Sequence, residues 1–344
     1  MAGQGYRVEE VGAFRLFMPA LEGLDEVAAH FRSVQRRNRE FLAAHPEVPE
    51  CGRRITGSFI AAHAPDYVGV PTLEWDTPRW RELFHAMKRD GLDTAVFQAS
   101  LWHELGECYY PTRRFAGEYR VWNVVEPMLE AARECSMNIV LGGYGSVAGW
   151  REGRAGADAA KREIDRQIAC LEELLQWRDG FAGFYFAPET AFRGRRAPET
   201  EEMLNFLYRN FFRRVRELAP DKKIQISPGS KLFPGMERDF IGFWSSVLHD
   251  AVPDILAPQD SIGCAGCTLE DQNAMWKLWR TLADTLKITL WSNVELFERV
   301  GFGGPAPFER AAEERIARQI AQEAPFVSKS ICWEYATFGK FPKN

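Results

Sequence analysis

No apolar run in this 344-residue chain approaches the roughly 18 residues that cross a bilayer. The opening MAGQGYRVEEVGAF also lacks the charged-then-apolar layout of a secretory leader, so a soluble, cytoplasmic protein with no membrane partner is expected. Excess charge of one sign is missing too: 43 Lys and Arg against 48 Asp and Glu leave a formal charge of −5, spread along the chain. That balance removes the basic footprint of a nucleic-acid binder, and Arg193, Arg195 and Arg196 read as a solvated loop rather than a phosphate clamp. Cysteines are few. The seven are scattered and odd in number, in a chain large enough to stabilise itself by core burial, so reduced thiols are expected. A lone CxxC, Cys264 to Cys267, has no second CxxC or nearby His to complete a zinc set and reads as a glycine-bearing loop. Neither a GK[ST] phosphate loop nor a dinucleotide fingerprint occurs, Gly142-Gly143-Tyr144-Gly145 included, so no cofactor is expected.

What is present is alternation. Short apolar runs predict strands at about 55–62, 93–99, 138–144, 181–187, 223–228, 255–259, 287–294 and 329–334. Between them, three- and four-residue apolar spacing predicts helices at 78–90, 121–136, 156–178, 198–218, 238–250, 269–286 and 306–323. Thr77-Pro78 reads as a helix start, Gly91 as its end, and Pro198 followed by acids as another start. Eight strands with seven intervening helices match an α/β (β/α)8 TIM barrel over 55–344, with a doubly wound open sheet as the competing arrangement. Residues 1–54 stand apart as an N-terminal helical extension. Its helix, from about Leu24 to Ala44, carries Val27, Phe31, Val34 and Phe41 on one side. It is expected to pack on the barrel exterior, close the bottom, or cover the place of an eighth helix.

Carboxylates gather where the strand patterns stop. FAGFYFAPET delivers Glu189, DILAPQDSIG delivers Asp260, ITLWSNVELF delivers Glu295 and ICWEYATFG delivers Glu334. In a parallel barrel those strand ends share one mouth. Residues two apart share a face, so Tyr185, Ala187 and Glu189 point one way on the fourth strand, and Trp291, Asn293 and Glu295 do so on the seventh. Glu189 and Glu295 are therefore the leading pair for acid–base or nucleophilic work across a glycosidic bond. Asp260, Gln259, Glu334, Asn293 and Gln98 are expected to hold sugar hydroxyls, with Ser58 as a further hydroxyl binder. Tyr185, Trp291, Trp333, Tyr144 and Trp102 offer flat faces to a sugar ring, and Trp75, Tyr109, Tyr110 and Trp150 add to the aromatic loops. Each of these aromatics has packing as its competing role. His63 and His103 follow the first two strands.

ITGSFI at the first strand, Trp75 and Trp80 before HAMKRDGLDTAVFQ, FAGFYFAPE, APQDSIG and LWSNVELF together resemble the TIM-barrel family called domain of unknown function 4434, over about 55–339. The resemblance implies a glycoside-hydrolase-like barrel with an undefined substrate. A broader likeness to retaining glycosidase barrels implies an acid/base at Glu189 and a nucleophile at Glu295. Where those enzymes carry Asn before the first carboxylate this chain carries Pro188, which leaves retention or inversion open. The leading function is hydrolysis of an oligosaccharide or glycoconjugate, with carbohydrate as the partner and the oligomeric state open. Two alternatives stand beside it. One is a divalent-metal sugar isomerase or epimerase using His63, Glu189, Asp260 and Glu334; the other is a carbohydrate-binding barrel without catalysis.

Overall fold

The computed structural model describes residues 6–11, 14–19, 24–64, 69–146, 156–299 and 308–341. The expected alternation closes on itself. Strands β1 (Ile55–Ile60), β2 (Thr94–Phe97), β3 (Asn138–Gly142), β4 (Gly183–Tyr185), β5 (Lys223–Ile226), β6 (Ile255–Leu256), β7 (Thr289–Glu295) and β8 (Lys329–Trp333) pair in parallel in chain order, and β8 pairs β1. The doubly wound alternative is thereby excluded. Helix α1 (Leu24–Ala44) precedes the barrel. After the first seven strands come α2 (Thr77–Arg89), α3 (Val125–Glu134), α4 (Ala157–Leu174), α5 (Pro198–Leu218), α6 (Glu237–Val247), α7 (Gln272–Leu286) and α8 (Glu313–Glu323), and a single turn, α9 (Tyr335–Phe338), follows β8.

Period-two alternation sorts the side chains into two cores. Phe59, Val96, Val140, Tyr185, Ile255 and Ile331 meet inside the barrel, while their neighbours Ile60, Phe97, Leu141, Phe184, Leu256 and Cys332 join the layer between strands and helices. Close strand approach fixes one glycine: a Cβ on Gly142 would lie 2.3 Å from the carbonyl oxygens of Phe97 and Gln98. Helix α2 is capped one residue earlier than its sequence suggested. Asp76 accepts from the Arg79 backbone N–H at 3.0 Å, Thr77 and Pro78 already being helical, and Gly91 follows at φ +85°. Pro198 opens α5, where buried Glu201 accepts from the Ala197 N–H and from Arg196, so Arg196 is ion-paired rather than simply solvated.

Two predicted helices start later than their apolar pattern. Arg120–Val121 belongs to a small four-stranded sheet with Leu101–Trp102, Glu107–Cys108 and Tyr144–Gly145. Phe308–Arg310 pairs antiparallel with Phe297–Arg299, two copies of Phe-Glu-Arg whose Phe297 and Phe308 rings lie 5.0 Å apart. Cross-strand contacts decide such three-residue pieces, and a helical window blurs them. The N-terminal extension likewise holds a hairpin, Tyr6–Val11 with Phe14–Pro19, that the helical description of 1–54 missed.

Helix α1 packs on the barrel exterior beside α8 and the loop between β6 and α7, not across the bottom. Phe31 and Val34 bury against Ala265, His30 Nε2 meets the Ala265 carbonyl at 3.0 Å, and Asn38 Oδ1 accepts from the Leu269 N–H at 2.9 Å. Phe41 is half-buried, facing Arg318 of α8. The Val27 side chain and all of Trp150 lie outside the described residues.

Under α8 the outward faces of β7 and β8 are polar. Ser292 and Ser330 donate to Glu323 Oε1 at 2.5 and 2.6 Å, and burial pushes the Glu323 carboxyl up to about 8. The folded state holds this proton more tightly than the unfolded chain. Its stabilising contribution is full below the ordinary value of 4.5 and is lost as pH rises through 8. Glu323→Gln keeps a neutral acceptor for both serines. The melting temperature of the variant is expected to gain on the wild type between pH 5 and pH 9; parallel melting curves across that range would refute the assignment.

Candidate active site

The two cores decide which strand-end residues reach the mouth. Beyond β4, Ala187 lies in the inner cluster, and Thr190 bonds outward to Tyr208 of α5 at 2.7 Å, so alternation turns half-buried Glu189 inward. Backbone bonds hold this segment beside the extension of β5, from Phe186 N–H to Gln225 O at 3.0 Å and from Gly229 N–H to Thr190 O at 2.9 Å. On β7, Ser292 and Val294 face outward, and Asn293 and Glu295 take the inner face.

Glu295 is 3% exposed because the loop after β6 folds over it. Its Oε2 accepts from the Cys264 N–H at 2.7 Å, and a Cβ on Gly263 would come within 3.1 Å of that oxygen. Burial, reinforced by the adjacent Asp260 charge, raises the Glu295 carboxyl to about 8. The CxxC segment is this covering loop. Both thiols are free, and the Gly266 and Cys267 N–H groups turn back onto the Ser261 carbonyl at 2.8 and 2.9 Å.

Asp260 departs from its expected role. Ile255 and Ala257 face inward, and continuing the period places Gln259 inside and Asp260 outside. Its carboxylate accepts from the Ile262 N–H at 3.2 Å, the Glu295 N–H at 3.3 Å and Gln319 of α8, with Arg315 of α8 as its counter-charge. Asp260 therefore supports Glu295 from behind rather than touching a ligand in the mouth. Arg315 joins the same knot, donating to the carbonyls of Glu295 and Phe297 at 3.1 and 2.5 Å.

Glu334 sits in the seam between β8 and β1. Its Oε1 receives His63 Nε2 at 3.2 Å and the Thr337 hydroxyl, while its buried Oε2 has no hydrogen-bond partner. His63 and Glu334 thus meet, but Asp260 points away and Glu189 stands on the opposite strand of the barrel. The four-residue metal set is not assembled, and no group of three or more His, Cys, Asp or Glu among the described residues is arranged to hold an ion.

Among the remaining candidates, Gln98 is half-buried beyond β2 on the face of Val96, with its N–H bonded to Ile60 O at 2.9 Å. Gln259 donates to the Ser227 carbonyl at 3.3 Å, and Asn293 Nδ2 to Ser227 Oγ at 3.2 Å. Trp333 is half-buried over Phe59, with centroids 5.4 Å apart, and Tyr185 meets Phe59 edge-on at 5.1 Å inside the barrel. Trp102 bridges the inner and outer cores, so close to Gly145 that a Cβ there would lie 2.6 Å from its ring.

Five aromatic expectations fail on position. Trp291 lies opposite Lys329, the first residue of β8, whose ammonium stands 5.2 Å from its ring; this is the N-terminal end of the barrel, away from the mouth. Tyr144 is buried against Phe115 and His103. Trp75 packs on Trp80 and Phe341, and Tyr109 and Tyr110 are core. Ser58 is spent on backbone, receiving the Tyr335 N–H at 2.8 Å, and His103 bonds Tyr119. Missed altogether were Gln225 and Ser227 on the inner face of β5. Their signal lay in KIQIS, where the polar residues alternate with isoleucines.

The fold is shared with known proteins. A candidate alpha-L-fucosidase from Bacteroides thetaiotaomicron VPI-5482 superposes with a TM-score of 0.66 at 21% identity, covering 85% of this chain and 91% of its own. A GH18 chitinase from Pseudoalteromonas aurantia gives 0.49 at 10% identity over 83% and 95% of the two chains. At these identities the likeness concerns architecture alone. No curated protein matches the sequence. A family model matches residues 55–344, the whole barrel, and the chain therefore belongs to the family described as Domain of unknown function (DUF4434).

Proposed function

We propose that this protein is a glycoside hydrolase whose proton donor is Glu295 and whose second carboxylate is Glu189. The observation that carries the reading is the environment of Glu295. It is a strand-end carboxyl on the inner face of the barrel, raised to about 8 by burial and by Asp260, and it keeps its proton at neutral pH. Half-buried Glu189 stands on the same mouth, three strands away. Trp333, Gln98, Gln259 and Asn293 supply the ring face and amides a sugar needs.

In this reading Glu295 gives its proton to the glycosidic oxygen as the C–O bond breaks. Glu189 stabilises the developing positive charge, either by bonding to the anomeric carbon or by taking a proton from the attacking water. The roles are the reverse of those implied by the resemblance to retaining glycosidases, because burial and a neighbouring anion favour the acid form of Glu295.

A panel of aryl glycosides and oligosaccharides tests the proposal, with alpha-L-fucosides included on account of the structural relative. Release of the leaving group from at least one member, unchanged by exhaustive EDTA, is the expected result. Binding of sugars with no hydrolysis across the panel would instead leave a carbohydrate-binding barrel.

A further inference from the structure

Gln225 is 0% exposed, and neither its Oε1 nor its Nε2 has a hydrogen-bond partner. Leaving both polar atoms of a carboxamide unsatisfied in an apolar interior costs stability that a leucine of similar size would not. The residue is also one position from the C-terminal end of β5, with Tyr185 beside it on β4 and Ile255 on β6. It therefore faces the barrel interior beside these two residues, one inward-facing position below Ser227.

A second orphan lies on β7. Ser227 Oγ donates its only proton to the Ala257 carbonyl at 2.7 Å, so the Asn293 group 3.2 Å from that oxygen must be the amide nitrogen. This fixes the orientation of Asn293 and leaves Oδ1, buried at 2% exposure, as an acceptor without a donor. Asn293 shares its face with Glu295 two residues further on.

Resting on the glycosidase reading above, we propose that the Gln225 carboxamide and Asn293 Oδ1 form a recognition subsite for the vicinal diol of the sugar bearing the scissile bond. A primary amide presents an acceptor and a donor along one edge. Two adjacent hydroxyls present the complement, one giving a proton to Oε1 and the other accepting from Nε2. A hydroxyl proton directed to Asn293 Oδ1 satisfies the remaining orphan. Buried amides of this kind discriminate strongly, because an analogue lacking a hydroxyl leaves them unpaired.

The test uses free D-glucose, D-galactose, D-mannose, D-xylose and L-fucose, with their 2- and 3-deoxy forms, titrated calorimetrically into wild type and Gln225→Leu. At least one parent sugar is expected to bind wild type and to bind the variant at least tenfold more weakly. Deleting one hydroxyl of the pair should weaken binding to wild type by a similar factor and leave binding to the variant unchanged. The melting temperature of Gln225→Leu should equal or exceed that of wild type, since two unsatisfied atoms are removed. Equal affinity in the two proteins, the same deoxy penalty in both, or no binding by any parent sugar overturns the subsite. So does a sugar-bound structure in which Gln225 touches only ordered water. Binding is read without turnover, so absence of hydrolysis leaves this result intact, and hydrolysis without the deoxy coupling removes the subsite alone.

Discussion

Glu295→Gln should lower turnover of glycosides with poor leaving groups by on the order of a thousandfold, and far less for dinitrophenyl glycosides. A proton donor matters in proportion to the basicity of the oxygen it must protonate, and dinitrophenolate leaves without that help. Glu189→Gln should depress both substrate types alike, because stabilising charge at the anomeric carbon is needed whatever departs. The wild-type rate is expected to fall as pH rises through about 8, where Glu295 loses its proton, and the Gln variant should lack that limb. Folding should survive, since a Gln oxygen can accept the Cys264 N–H that Glu295 Oε2 now accepts. An equal loss on both leaving groups in Glu295→Gln would exchange the two roles. Full activity in either variant would remove that carboxylate from the mechanism.

Asp260→Asn gives a companion readout on the same axis. Its negative charge helps hold Glu295 protonated, so its removal should move the alkaline limb to lower pH.

The barrel was legible because strand and helix periodicities differ and alternate, and its eight strands fall where short apolar runs placed them. Asn293 and Glu295 were legible on the inner face by counting in twos from apolar neighbours, and Glu189 follows from the same count. Asp260 was misplaced, although the same counting would have served. DILAPQD carries Ile255, Ala257 and Gln259 on one face, but its strand is only two residues long by pairing, and Pro258 obscured the register. Trp291 shows the opposite limit. Its face was right and its height wrong, because the level of a residue within a barrel depends on the stagger between strands, which one strand's sequence does not carry. The loop over Glu295 was visible only as a weak CxxC, and what it covers depends on a contact between segments about 30 residues apart.

Arg315 was invisible to sequence reasoning, lying in a helix that reads as charged and exposed, yet its replacement should have the largest effect on stability. The guanidinium is buried between β7 and α8, bonded to the carbonyls of Glu295 and Phe297, and it is the counter-charge of Asp260. Arg315→Met preserves much of the aliphatic volume and removes the charge. The cost expected at pH 8 is about 3–5 kcal/mol, the usual penalty for leaving a buried partner uncompensated. That cost should shrink toward pH 5. Burial raises Asp260 to about 6 even with Arg315 in place, so at pH 5 its carboxyl is largely neutral and needs no counter-charge. Urea unfolding of both proteins at the two pH values measures the difference. A loss independent of pH would mean that Arg315 acts by packing and backbone hydrogen bonding alone, and Asp260 would then have to be held in place by Gln319 and the two backbone N–H groups.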